Sequence, residues 1–424
     1  MNKNPGNSKY VKKLNRMTVL NIIKEHEPIC RQQLSKITGL TPPAITAIVR
    51  ELVDLGLIKE EGLGASNGGR KPVKLKFNPR AGLVIGLEVT RYEVNIGIAD
   101  LKNDPMKLHR LPLDMSNPHR AVLSLAKEID KVMNSDGMSK NNFMGIGVAF
   151  PGLLMAKEGI IKRSVNLGPE WNNFPIKDVL EREVGLSVFV EHNSNASVLA
   201  ERWFGKGTDS RNLVYVNLGE GISAGVIMDD RIVQGFQGHA GEIGHVVIMS
   251  EGPLCNCGNR GCLESICGAL AVVRTANEEL PVLKREDALK DLWEKQGKVT
   301  IEDIIKQSEI EGSYAWQLIR QVGRFVGVAI AGAINLYNPE AVFVGGKLAA
   351  AGEVLLRPLQ EAVKTHAFPE IARATRVELS GLGKNAATIG ACALALRELF
   401  RPSQAGILAE AAITSERDRG ATLY

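Results

Sequence analysis

Four side chains able to ligate a soft metal fall within eighteen residues: His245, Cys255, Cys257 and Cys262. Three thiolates and a neutral imidazole are a common tetrahedral zinc set. Pro253, Gly258 and Gly261 lie between them and supply turns, so a short loop can fold back on the ion. With all four positions filled by protein, no open position remains for a reactive water, so one structural zinc ion per chain is expected. The plainer alternative makes these cysteines small core hydrophobes. Three of the chain's six cysteines interleaved with Gly, Asn and Arg argue against apolar packing. Glu242 stands three positions before His245, and Glu264 two positions after Cys262. Two carboxylates and an imidazole on a metal-stapled loop can bind vicinal hydroxyls in a defined geometry.

The run Gly241-Glu-Ile-Gly-His, followed by Cys-x-Cys-Gly-x-x-Gly-Cys-Leu-Glu, resembles the zinc and sugar motif of the ROK family, which holds sugar kinases and sugar-responsive transcriptional repressors. The resemblance extends from about Leu14 to Leu396. It implies an actin-like, ribonuclease-H-like body of two α/β lobes, where periodicity alone gives only a mixed α/β class. It also implies sugar contacts at Asn166, His192, Asn193, Glu242, His245 and Glu264, with Pro151-Gly152 and Trp171 nearby. Three of these have bland readings: Asn166 as a turn cap, Trp171 as core, Glu264 as a partner of Arg260.

The phosphate machinery of the family's kinases is not kept. Their first phosphate loop, Asp-x-Gly-Gly-Thr, lets backbone N–H groups approach the phosphates. Here it reads Glu88-Val89-Thr90-Arg91-Tyr92. Their second loop, Gly-Thr-Gly, is Gly219-Glu220-Gly221, which aims a negative charge at triphosphate. Their catalytic base is an Asp following an Asn; here the pair is His192-Asn193, and an amide cannot take up the proton of a sugar hydroxyl. Three losses in one mechanism point to a protein that binds sugar without reacting.

Behind these residues stands a chain of 424 residues with net charge +5, long enough for two or three domains. No apolar run is long enough for a membrane span, and MNKNPGNSKYVKK has no apolar signal core. Scattered Cys30, Cys267 and Cys392 fit a reducing cytoplasm. Residues 1–80 hold fifteen Lys/Arg against six Asp/Glu, a balance of +9, which leaves −4 on the rest. A basic head on a mildly acidic body is expected to meet a polyanion.

That head carries the right pattern. Leu14, Met17, Leu20 and Ile23 predict a first amphipathic helix, Arg31 to Thr38 a second, ended by Gly39. Thr41 caps a third, with Pro42 at its first position and Ile45, Ile48, Val49, Leu52 and Leu55 buried. Leu57–Glu60 and Val73–Phe77 read as strands around GLGASNGGRKP, making a winged helix-turn-helix. Thr41, Pro43, Thr46, Ala47 and Arg50 are the residues expected at the major groove, with Arg70 and Lys71 at the wing tip near phosphates.

From Gly82 the chain changes to strands and Gly-rich turns. Strands are expected at Leu83–Glu88, Val94–Asp100, Met144–Ala149, Val188–Glu191, Leu213–Leu218, Ala224–Met228 and Ala341–Val344. Helices are expected at Ala121–Met133, Ala196–Phe204, Val322–Leu336 and Ala386–Leu399. The organisation expected is a DNA-binding head over 1–80, a first lobe over 81–195 joined by the helix of 386–400, a second lobe over 196–385, and a polar tail over 401–424. The function expected is a cytoplasmic repressor of carbohydrate-utilisation genes. It binds operator DNA as a homodimer or homotetramer and responds to a sugar. The rivals are a sugar kinase with a DNA-binding head and a DNA-bound regulator controlled by a protein partner.

Overall fold

The computed structural model describes residues 8–63, 72–135, 138–164 and 167–401. The head contains α1 (Ser8–His26), β1 (Ile29–Cys30), α2 (Arg31–Thr38), α3 (Pro42–Asp54), β2 (Ile58–Leu63) and β3 (Val73–Phe77). Gly39 ends α2 in the left-handed region at φ 69°, where a residue without Cβ is unstrained. The Thr41 hydroxyl caps α3 by accepting from Ala44 N–H at 3.4 Å. Ile45, Ile48, Val49 and Leu52 of α3 are buried with Met17, Leu20, Ile23 and Leu34. The wing strands form an antiparallel sheet ordered β1-β3-β2. β1 has two residues, too few for any alternation to announce it, and exists through its pairing with Leu75 and Lys74.

The body begins with β4 (Leu83–Val89), β5 (Glu93–Asp100), β6 (Pro105–Pro112), α4 (Pro118–Met133), β7 (Phe143–Phe150), the hairpin β8 (Leu153–Met155) and β9 (Ile160–Arg163), α5 (Ile176–Val184), β10 (Val188–His192) and α6 (Asn193–Phe204). It continues with β11 (Leu213–Leu218), β12 (Ile222–Met228), β13 (Arg231–Ile232), α7 (Leu263–Cys267), α8 (Ala269–Glu279), α9 (Ala288–Gln296) and α10 (Ile301–Gln307). Then come α11 (Tyr314–Tyr337), β14 (Ala341–Gly345), α12 (Glu353–His366), α13 (Pro369–Ala374), β15 (Arg376–Leu379) and α14 (Ala386–Leu399).

The two large sheets share one topology. The first runs β10-β7-β4-β5-β6 and the second β13-β12-β11-β14-β15. In each, three antiparallel strands are extended by two parallel ones, the arrangement of a duplicated, two-lobed actin-like body. Helices α6 and α14 lie between the sheets. Close approach there depends on absent side chains: a Cβ on Gly390 would stand 1.9 Å from the Ala196 carbonyl, and one on Gly225 2.1 Å from that of Ser194. Because α6 serves both sheets, it runs across residue 195, where the lobes were expected to divide.

At its far end α14 enters the head. Leu396, Leu399 and Phe400 share one buried cluster with Met17, Leu20, Val49 and Phe77, and also with Val84 and Met144 of the first lobe. Phe77 and Phe400 meet edge to face at 5.9 Å, and the Lys24 ammonium sits 4.6 Å above the Phe400 ring.

Candidate functional site

The four candidate metal ligands come together, as their spacing predicts. The loop after β13 carries Glu242 and His245 at a short 3-10 turn over Ile243–His245, and residues 253–262 then fold into a narrow hairpin. Gly261 N–H donates to Pro253 O at 2.8 Å, and Cys255 N–H to Asn259 O at 2.8 Å. The ligand atoms of His245, Cys255, Cys257 and Cys262 all lie within 4.8 Å of one another. Cys257 Sγ is 3.6 Å from Cys262 Sγ, and His245 Nδ1 is 3.6 Å from Cys255 Sγ. A tetrahedral ion with metal–sulfur bonds of about 2.3 Å has sulfur–sulfur edges of about 3.8 Å, so the cage fits such an ion. Burial and the neighbouring thiols push Cys262 up to about 12, and burial raises Cys255 too. The other face of the imidazole meets a carboxylate, with His245 Nε2 3.7 Å from Glu242 Oε2, the outer partner that orients a ligating histidine.

Between the lobes lies a cavity of about 1240 Å³. His192, Asn193, Glu242, His245 and Glu264 all line it, so five of the six expected sugar positions converge; Asn166 lies outside the described residues. Pro151 and Gly152 line it as well. Trp171 does not: it is buried against Phe150 and Phe174, and its indole N–H donates to Met115 O at 2.7 Å, which is the core reading. Glu264 has a further task, accepting Ile222 N–H at 2.9 Å and tying α7 to β12. Burial raises the Glu242 carboxyl above the usual range, opposed by His245 and helped by Glu264.

His192 caps α6, its Nδ1 accepting Ser194 N–H at 3.3 Å. Burial lowers its pKa, so the ring is neutral and the remaining proton sits on Nε2. Asn193 donates its Nδ2 to Val89 O at 3.4 Å, and its Oδ1 is buried without a partner. The altered phosphate loops face the same cavity. Arg91 stacks on the Tyr92 ring at 5.5 Å, and Glu220 pairs with Lys347 at 3.8 Å. Glu88 fills the end of β4, accepting from Thr388 at 2.7 Å and Asn95 at 3.3 Å.

Sequence reasoning missed Ser164, Arg163, Lys347 and Lys384, which also line the cavity. Ser164 belongs to no recognisable spacing; only the fold brings it beside Gly152 on the cavity wall.

On the head, Thr41, Pro43, Thr46, Ala47 and Arg50 are all exposed on α3, with Ile45, Ile48 and Val49 buried behind them. The Thr46 hydroxyl donates back to Pro42 O at 2.9 Å. Arg70 and Lys71 lie outside the described residues.

The ROK family profile matches residues 84–398, and a winged helix-turn-helix DNA-binding profile matches residues 13–59. The chain is 28% identical to the xylose repressor of Caldicellulosiruptor bescii over 402 residues, 93% of this chain and 98% of that one. It is 32% identical to the DNA-binding transcriptional dual regulator NagC of Escherichia coli over 398 residues, 93% of this chain and 95% of that one. Among solved structures, a ROK family transcriptional regulator described as a homolog of the E. coli MLC protein superposes with a TM-score of 0.80 at 28% identity, covering 95% of this chain and 99% of that one.

Proposed function

The chain belongs to the ROK family, and on that premise we propose that it is a DNA-binding transcriptional repressor of carbohydrate-utilisation genes. A sugar or sugar derivative held between the lobes modulates its operator affinity. The observation that carries this reading is one helix: α14 lines the cavity at Ala386 and Ala387 and ends inside the core of the head at Phe400. A ligand that closes the lobes thereby acts on the platform that holds the head. The named repressors among its relatives span nearly the whole chain, in keeping with a regulator and not an enzyme.

In this reading α3 enters the major groove with Thr41, Pro43, Thr46, Ala47 and Arg50, and Arg70 and Lys71 meet the backbone beside it. His245, Cys255, Cys257 and Cys262 hold one zinc ion, which stiffens the loop bearing Glu242 and Glu264. The protein works in the cytoplasm as a homodimer or homotetramer, since two heads are needed for two half-sites. No helix among the described residues is long and apolar enough to cross a membrane.

The test is a thermal-shift screen of sugars on the full chain, repeated with DNA taken from upstream of neighbouring sugar-utilisation genes. Specific DNA binding that a sugar weakens or strengthens supports the proposal. DNA binding indifferent to every sugar replaces it with control by a protein partner. ATP-dependent phosphorylation of any sugar in the panel replaces it with the kinase.

A further inference from the structure

We infer that the cavity takes an unphosphorylated sugar, presenting hydroxyl groups and not a phosphate ester to its inner wall. The inference rests on the sugar-sensing reading and narrows its ligand class.

A phosphate needs donors and positive charge, most often a helix N-terminus or a nest of N–H groups. Two long helices start at this cavity, and a side chain of the protein engages the first turn of each. On α6, His192 Nδ1 already takes the Ser194 N–H. On α14, the Glu88 carboxyl sits at the first turn, accepting from the Thr388 hydroxyl at 2.7 Å. An anion arriving there meets the Glu88 carboxyl beside the Thr388 hydroxyl.

The remaining inner groups ask for protons. The Val89 carbonyl can only accept, so Nδ2 of Asn193 must face it, which leaves Oδ1 as the free atom. The hydroxyl of Ser164, a residue 3% exposed on the cavity wall, has no partner and can give or take a hydrogen bond, whereas that Oδ1 is a buried acceptor only, also without a partner. An unpaired buried acceptor is costly, and a ligand hydroxyl relieves it where a phosphate oxygen, itself an acceptor, cannot. The neutral His192 ring offers its Nε2 proton, which suits a hydroxyl oxygen without adding charge.

Cations do line the cavity, but Lys347 is engaged by Glu220 and Arg110 by Glu93 at 3.6 Å. Arg91, Arg163, Lys306 and Lys384 are exposed and belong to the rim. Opposite stand the carboxylates Glu242 and Glu264. The balance inside the cleft is therefore neutral to acidic, against phosphate and in favour of hydroxyl donors.

Isothermal titration on the full chain tests this with D-glucose, D-xylose and N-acetyl-D-glucosamine, then glucose 1-phosphate, glucose 6-phosphate and N-acetylglucosamine 6-phosphate. The expected result is that at least one free sugar binds and that its phosphates bind at least about tenfold more weakly. Asn193→Leu, which removes the acceptor and also the donor to Val89 O, should lower affinity for that free sugar by about tenfold when titrated well below the variant's own melting temperature. A phosphate ester that binds as tightly as its parent sugar, or more tightly, overturns the inference while leaving the sugar-sensing reading in place. If none of the six binds, the sugar-sensing reading falls and takes this inference with it.

Discussion

Single residues divide the surface into reading and sensing. Arg50 is exposed on α3, with no ion-pair partner among the described residues. Arg50→Ala should weaken operator binding by about 1–3 kcal/mol and relax preference at one base position. Unchanged operator preference in a competition assay would remove α3 from the groove. Within the cleft, Glu88 is the informative carboxyl. Burial raises its pKa from 4.5, against the hydrogen bonds from Thr388 and Asn95. A carboxyl whose folded pKa is raised is favourable while protonated, and that advantage disappears as pH climbs through the folded value. Glu88→Gln should therefore stabilise the protein near neutral pH, with the gain shrinking to nothing below about pH 4.5. Denaturant melts across that range would show a flat difference if Glu88 were ordinarily ionised.

At the scale of elements, legibility followed local signals. The bounds of α2, β3, β11 and α14 agree with the pattern reading because caps, glycines or strict periodicity mark them. Strand β6 opens on Pro105 and carries Lys107, His109 and Arg110 on a sheet edge, and β15 has only four residues; neither advertises itself before its neighbour is in place. Helix α12 was hidden by an internal proline, Pro358. The loop that could hold a metal was the opposite case, since its four candidate ligands are close in sequence and need only turns to meet. Ser164 and Thr388 could not be foreseen, because the contacts that matter to them are tertiary. The metal loop yields its own prediction. Cys257→Ser leaves three good ligands and a weak one, so zinc should be substoichiometric and the sugar response lost, with the helix-turn-helix fold intact. A zinc-free protein with full sugar response would remove the structural role.

For the whole molecule, the question is how a cleft speaks to a DNA surface. The head has no long independent linker. Its core is continuous with Val84, Met144 and the end of α14, and Lys102 of the first lobe pairs with Glu27, just past the end of α1. Head and first lobe are thus packed as one unit, and a lobe closure that repositions α14 repositions the head with it. Coupling of this kind is reciprocal: whatever factor the sugar applies to operator affinity, the operator applies to sugar affinity. Phe400 is the contact to break, being buried against Phe77 and Lys24 and away from both ligands. Truncating such a core aromatic costs about 3–5 kcal/mol of local packing. Phe400→Ala should keep sugar affinity measured without DNA and operator affinity measured without sugar, while the two coupling factors shrink together towards one. Equal shrinkage in both titrations assigns the message to α14. A variant that still answers sugar as the parent does would mean that the lobes reach the head by another route, through β4 and β7 alone.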